Sequence, residues 1–215
     1  MYTTEKYLFD CKNLVSNPSA RVPVCLCLDV SGSMDGLPIQ ELNEGVHQFY
    51  QAIKEDETAL YAADICVITF GGTEPVCLRD FSGLDQQPEV PTLSAGGMTP
   101  MGEAINLGLD LLERRKEQFR SVGVDYFQPW FVLMSDGAPN GAADQLARAK
   151  QRMDSLARDK KLSVFPIGIG APCRYEGAGR IFTDAFAAQA ERSEIPRVLR
   201  MAQPECFHHI PIHRR

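Results

Sequence analysis

The chain has no apolar run of the roughly 18 residues that a membrane span requires. Its N-terminus also lacks the basic and then apolar regions of a secretory signal. There is no basic excess: 22 Lys and Arg stand against 28 Asp and Glu, for a formal charge of −6. That balance argues against a nucleic-acid partner, whose phosphates call for a basic face. The seven cysteines show no framework spacing, which points to a reducing compartment and, with the acidic balance, to a cytoplasmic protein. Cys25 and Cys27 lie two apart in one apolar run and Cys66 lies in another, so all three read as small buried hydrophobes. What remains is a 215-residue chain, long enough for one domain that buries about 70% of its unfolded surface without a disulfide staple.

Residues 1–21 show little periodicity and read as an N-terminal arm. Val22–Leu28 is continuously apolar apart from Pro23, as in a strand buried on both faces of a parallel sheet. From Pro38 to about Lys54, Ile39, Leu42, Val46, Phe49 and Ile53 recur at helical spacing, with Pro38 at the first helical position. Asp64–Phe70 reads as a second core strand, and Pro75–Leu78 as its hairpin partner at the sheet edge. A helix is predicted from Pro100 to about Arg120, a strand over Trp130–Met134, a helix over Ala143–Arg158 and a strand over Ser163–Ile169. Such alternation predicts an α/β fold. Its sheet is doubly wound, mostly parallel and flanked by helices, with one antiparallel edge strand and a ligand site at the carboxyl ends of the strands.

The first apolar run ends in Asp29-Val30-Ser31-Gly32-Ser33-Met34. A carboxylate and two hydroxyls with nothing bulky between them suit a hard cation. Mg²⁺ takes oxygen ligands in a near-octahedral shell at about 2.0–2.1 Å and keeps several waters. A helix cap is the alternative, since Asp and Ser are also the preferred capping residues. Two further segments bear on the choice. Gly96-Gly97-Met98-Thr99-Pro100 precedes a helix, and Ser135-Asp136-Gly137 follows a strand. Under the expected topology both fall on the sheet edge that carries Asp29. Thr99 then adds a hydroxyl and Asp136 a carboxylate acting through a bound water. Asp29, Ser31, Ser33, Thr99 and Asp136 are therefore the predicted metal ligands, for a hard cation such as Mg²⁺.

These residues resemble the metal-ion-dependent adhesion site of von Willebrand factor type A (VWA) domains. The resemblance runs from Arg21 to about Gly170. Within that group, the stretches RVPVCLCLDVSGSM, PIQELNEGVHQFYQAIKEDE, VITFGG, PTLSAGGMTPMGEAI and PWFVLMSDGAPN are similar to the bacterial TerY-like proteins of tellurium-resistance and stress operons. The resemblance implies coordination of Mg²⁺ or Mn²⁺ by Asp29, Ser31 and Ser33, with Thr99 direct or through water and Asp136 behind them. It further implies a protein partner whose Asp or Glu completes the shell, with a kinase or phosphatase encoded nearby as candidates. No catalytic residue is implied.

An enzymatic alternative starts from Asp29 as a phosphoryl-accepting nucleophile with Mg²⁺. Phosphatases of the haloacid-dehalogenase type need a second carboxylate two residues later, where this chain has Ser31, and no Lys is obviously placed to stabilise a transferring phosphoryl group. After Gly170 the resemblance stops, which divides the chain into an arm (1–21), a VWA domain (22–170) and an atypical C-terminal segment (171–215). Cys206, His208, His209 and His213 are zinc-type ligands, but their spacing matches no known finger. A one-nucleotide frameshift near Gly170 fits this segment better. In the shifted frame, residues from Glu194 onward admit RFREFFAWLSQSVS, similar to the terminal helix of the group, and Met201-Ala202 is forced to encode Trp. Sequencing the gene tests this reading, and codons incompatible with that string reject it.

Overall fold

The computed structural model describes residues 19–84, 90–137 and 139–170, together with Leu14, Asn17 and the backbone of 212–213. Cys206, His208 and His209 lie outside the described residues, as do most of the arm and of the C-terminal segment.

Five strands form the main sheet. They are β1 (Val22–Asp29), β2 (Ala63–Phe70), β3 (Val76–Gly83), β5 (Trp130–Ser135) and β6 (Ser163–Gly168), in the order β3-β2-β1-β5-β6. β1 is central and parallel to both β2 and β5, β5 is parallel to β6, and β3 is antiparallel to β2. All eight residues of β1 are buried. This is why its sequence reads as an unbroken apolar run: side chains on either face meet a helical layer.

The helices are α1 (Leu37–Lys54), α2 (Glu57–Ala62), α3 (Met101–Val122) and α4 (Ala143–Arg158). Ile39, Leu42, Val46, Phe49 and Ile53 of α1 pack with Val24, Leu26, Leu28 and Val132 in one core. On the other face Ile105, Leu109 and Leu112 of α3, with Ala149 and Met153 of α4, pack against Cys25, Cys27, Phe131 and Leu133. The alternation of β1 thus divides its side chains between two cores. The cysteines behave as expected of small buried groups. Cys25 and Cys66 stand opposite each other with sulfurs 3.7 Å apart. Loss of solvent raises all three buried thiols, Cys27 and Cys66 well above the ordinary value, and so keeps them protonated and unreactive.

Several elements differ from the sequence reading, most of them by one or two residues at an end. α1 begins one residue early, so Pro38 is its second residue, behind Gly36 at φ +87°. The edge strand continues to Gly83. Its Arg79, Asp80 and Ser82 hide the strand from an apolar pattern. α2, six residues long, is too short to show periodicity, although Asp56 caps it by accepting the Ala59 N–H at 2.8 Å. β4 (Tyr126–Phe127) pairs with β7 (Ile212–His213) in a separate two-stranded ladder.

Candidate metal centre

β1, the most deeply buried strand, ends on Asp29, whose side chain is 0% exposed. Its carboxylate is held from two directions. Oδ1 accepts the Ser31 backbone N–H at 2.9 Å, and Oδ2 accepts the Ser135 hydroxyl at 2.6 Å. Beyond Asp29 the chain enters a short 3₁₀ turn, Gly32–Met34, that brings the two serines side by side. Ser31 Oγ and Ser33 Oγ lie 3.1 Å apart, and Ser33 donates to Asp136 Oδ1 at 2.9 Å. Ser31 and Asp136 are buried while Ser33 is exposed, so this line of oxygens opens to solvent at Ser33.

Thr99 arrives on a different loop that the main chain ties to the first. Gly32 N–H donates to Gly97 O at 3.0 Å, Gly96 N–H to Val30 O at 2.8 Å, and Val30 N–H to Phe70 O at 2.9 Å. These contacts require glycine at two points. Gly97 sits at φ +80°, and a Cβ there would run into the Gly71 carbonyl; a Cβ on Gly71 would run into that of Val30. Asn140 fixes the far side. Its side-chain Oδ1 accepts the Thr99 N–H at 2.5 Å and its own N–H donates to Thr99 O at 3.2 Å. Thr99 itself is 5% exposed. The structure therefore gathers all five predicted residues at the carboxyl ends of β1 and β5, on three connected loops.

The donors suit a hard cation. An octahedral ion bonded at about 2.1 Å places neighbouring oxygens about 3.0 Å apart, close to the Ser31–Ser33 separation of 3.1 Å. Among the described residues no group of three His, Cys, Asp or Glu side chains comes together; hydroxyls supply most of the donors here. The electrostatics point the same way. Burial raises the Asp29 carboxyl above its ordinary value of 3.8, hydrogen bonds from Ser135 and Ser31 oppose the rise, and the nearby Asp136 charge adds to it. A buried carboxylate under that strain is a position at which a cation relieves a cost.

Two supporting residues escaped the sequence reading. Ser135 reads as the first residue of an ordinary S-D-G turn, yet its hydroxyl anchors Asp29 and accepts the Gly137 N–H at 3.3 Å. Asn140 lies in a loop with no periodic signal. Ser135→Ala is expected to weaken divalent-cation binding about 10- to 100-fold, the usual effect of removing a group that orients a ligand. Calorimetric titration with Mn²⁺ measures it, and Ser135→Thr should restore the loss by returning the hydroxyl.

No known family's sequence profile matches the chain. A curated relative, an uncharacterized protein of Synechocystis, is 26% identical over 155 residues, covering 70% of this chain and 33% of that protein. The chain thus spans about a third of the length of the relative it matches. Among solved structures, the pilus adhesin SpaC from Lactobacillus rhamnosus GG superposes with a TM-score of 0.59 at 13% identity, covering 88% of this chain and 30% of that one. The manganese-loaded TRAP protein of Plasmodium vivax gives 0.55 at 18% identity, with 89% and 75% covered. The SpRpn10 VWA domain gives 0.50 at 14% identity, with 77% and 84% covered. At these identities the likeness is one of fold, and the fold is that of a VWA domain.

Proposed function

We propose, on the premise of the VWA fold, that this chain is a protein-binding module whose contact depends on a divalent cation, Mg²⁺ or Mn²⁺. Asp29, Ser31, Ser33, Thr99 and Asp136 would hold the ion. The observation that carries the reading is the hydrogen-bonded line from Ser31 through Ser33 to Asp136, which opens to solvent at one end. A bound ion would supply a positive centre at that opening for an acidic side chain of a partner. The manganese in the TRAP structure is consistent with this chemistry on the same fold.

Within this reading, the chain's own residues do three things. Ser135 and the Ser31 amide orient the Asp29 carboxylate, Asn140 positions Thr99, and the glycine contacts keep the loops in register. The likeness of the quoted motifs to TerY-like proteins extends the proposal to a role in bacterial tellurium or stress resistance in the cytoplasm, with an operon-encoded kinase or phosphatase as partner. A catalytic alternative has less support. A nucleophilic Asp29 of the phosphatase type would need a second carboxylate two residues later, and that position holds Ser31.

The test is a pull-down from the native organism with immobilised full-length chain in Mg²⁺, and again in EDTA. Partners retained in Mg²⁺ and released by EDTA support the proposal. Partners retained equally in both reject the cation requirement. Turnover of a phosphate ester that is abolished by Asp29→Asn would favour the enzyme instead.

A further inference from the structure

The four loops that surround the candidate centre contain no Lys, Arg or His: VSGSMDGL (30–37), GGTEP (71–75), PTLSAGGMTP (91–100) and SDGAPNGA (135–142). Their charged residues are Asp35, Glu74 and Asp136, and Asp29 lies beneath them. The surface ground here includes bare main chain at glycine: Gly32, Gly72, Gly96 and Gly97 are all exposed. Three large apolar side chains stand out from this ground. Leu37 is 71% exposed at the start of α1, Met98 is 50% exposed beside Thr99, and Val76 is 56% exposed opposite Thr69, near the carboxyl end of β2. They are three of the five large hydrophobics exposed among the described residues, so the exposed apolar surface concentrates on the edge that bears the site.

Resting on the cation-dependent reading above, we infer that this edge selects a partner segment with a solitary acidic residue flanked by apolar side chains, and discriminates against runs of acids. The charge pattern decides this. Among the described residues of these loops an acid meets no basic side chain, so a cation at the centre would be the point on them that attracts it. A second or third acid beside the first would face Asp35 and Glu74 without compensation. The rest of the contact then has to come from main-chain groups of the glycine loops and from burial of Leu37, Met98 and Val76, which association would remove from water.

Panning a phage library of linear 12-residue peptides against the full-length chain in Mg²⁺, with elution by EDTA, tests the inference. EDTA-eluted clones are expected to share one Asp or Glu with Leu, Met, Phe or Trp within two positions. Their affinity should fall roughly tenfold or more in a Leu37→Ser/Met98→Ser variant, the scale of losing central apolar contacts. Both side chains are exposed and outside the ion's donors, so Mn²⁺ affinity of that variant should stay at the wild-type value, which also verifies folding. EDTA-eluted clones rich in acidic runs, or insensitive to the double substitution, overturn the inference and leave the cation-dependent reading standing. A library that yields no EDTA-sensitive clone overturns both.

Discussion

Asp29→Asn is expected to reduce Mn²⁺ or Mg²⁺ affinity by about 100-fold or more, beyond the 10- to 100-fold effect of losing an orienting group, while leaving the metal-free fold at least as stable as wild type. The two halves have one cause. Burial holds the Asp29 carboxyl above its ordinary 3.8, so the metal-free folded state binds this proton more tightly than the unfolded chain does. Stability contributed at this site therefore falls as pH rises from 3.8 through the raised folded value, and the deficit persists at neutral pH. Asn keeps the acceptor for the Ser31 amide, can donate to Ser135, and carries no charge to desolvate. The advantage of the variant over metal-free wild type should grow through that same pH window and level off above it.

Added cation reverses the comparison. A ligand at 100 times its dissociation constant stabilises by about 2.7 kcal/mol, which for a chain of this size is a rise in Tm of about 5–10 °C. Wild type should show that rise in thermal denaturation with Mn²⁺, and Asp29→Asn should not. A variant that keeps the rise would place the cation elsewhere. A variant that unfolds without metal would make Asp29 a structural cap.

The second large effect concerns the opposite end of the sheet. Arg115 of α3 and Asp64 of β2 form a buried pair, with Nε to Oδ2 at 2.6 Å and Nη2 to Oδ1 at 3.0 Å. The guanidinium carbon also lies 5.1 Å from the Phe119 ring centroid and 5.9 Å from that of Phe81, and Nη1 donates to Gln118 at 2.9 Å. With side chains 5% and 1% exposed, neither charge can turn to water if the other is removed. Arg115→Ala should therefore cost about 3–5 kcal/mol, most of it the penalty of an unpaired buried carboxylate. Asp64→Leu combined with Arg115→Met should recover most of that loss, because well-packed apolar residues often replace such a pair at little cost. Urea denaturation of both variants measures the difference. Equal destabilisation would mean that packing around the guanidinium, and not the charge left behind, sets the cost.

The parts of this architecture legible in the sequence are those in which one physical demand repeats along the chain. β1 announces itself because both of its faces are buried, and α1 because Ile39, Leu42, Val46, Phe49 and Ile53 return to one stripe. The placement of the five candidate residues at one sheet edge was readable for a different reason: segments at strand ends and helix starts converge once the strand order places those ends together. Missed features lack repetition. Ser135 is one hydroxyl whose role depends on a partner 106 residues away, and α2 is shorter than two helical turns. β3 follows an apolar start, Val76–Leu78, with Arg79 and Asp80, and only Phe81 of the strand is buried, because at the sheet edge the core imposes no continuous demand on its side chains.

The glycine junction among the loops at Val30, Gly71 and Gly97 has a kinetic consequence. Main-chain hydrogen bonds assemble the three loops, and none of those bonds involves an oxygen that a cation would claim. The chain can thus complete its fold before any ion arrives. Under the proposed reading, loading and release of a cation would be local exchange events that do not require unfolding. If the proposed cation dependence holds, a module built this way would follow the free concentration of the ion, engaging and letting go of a partner as that concentration changes.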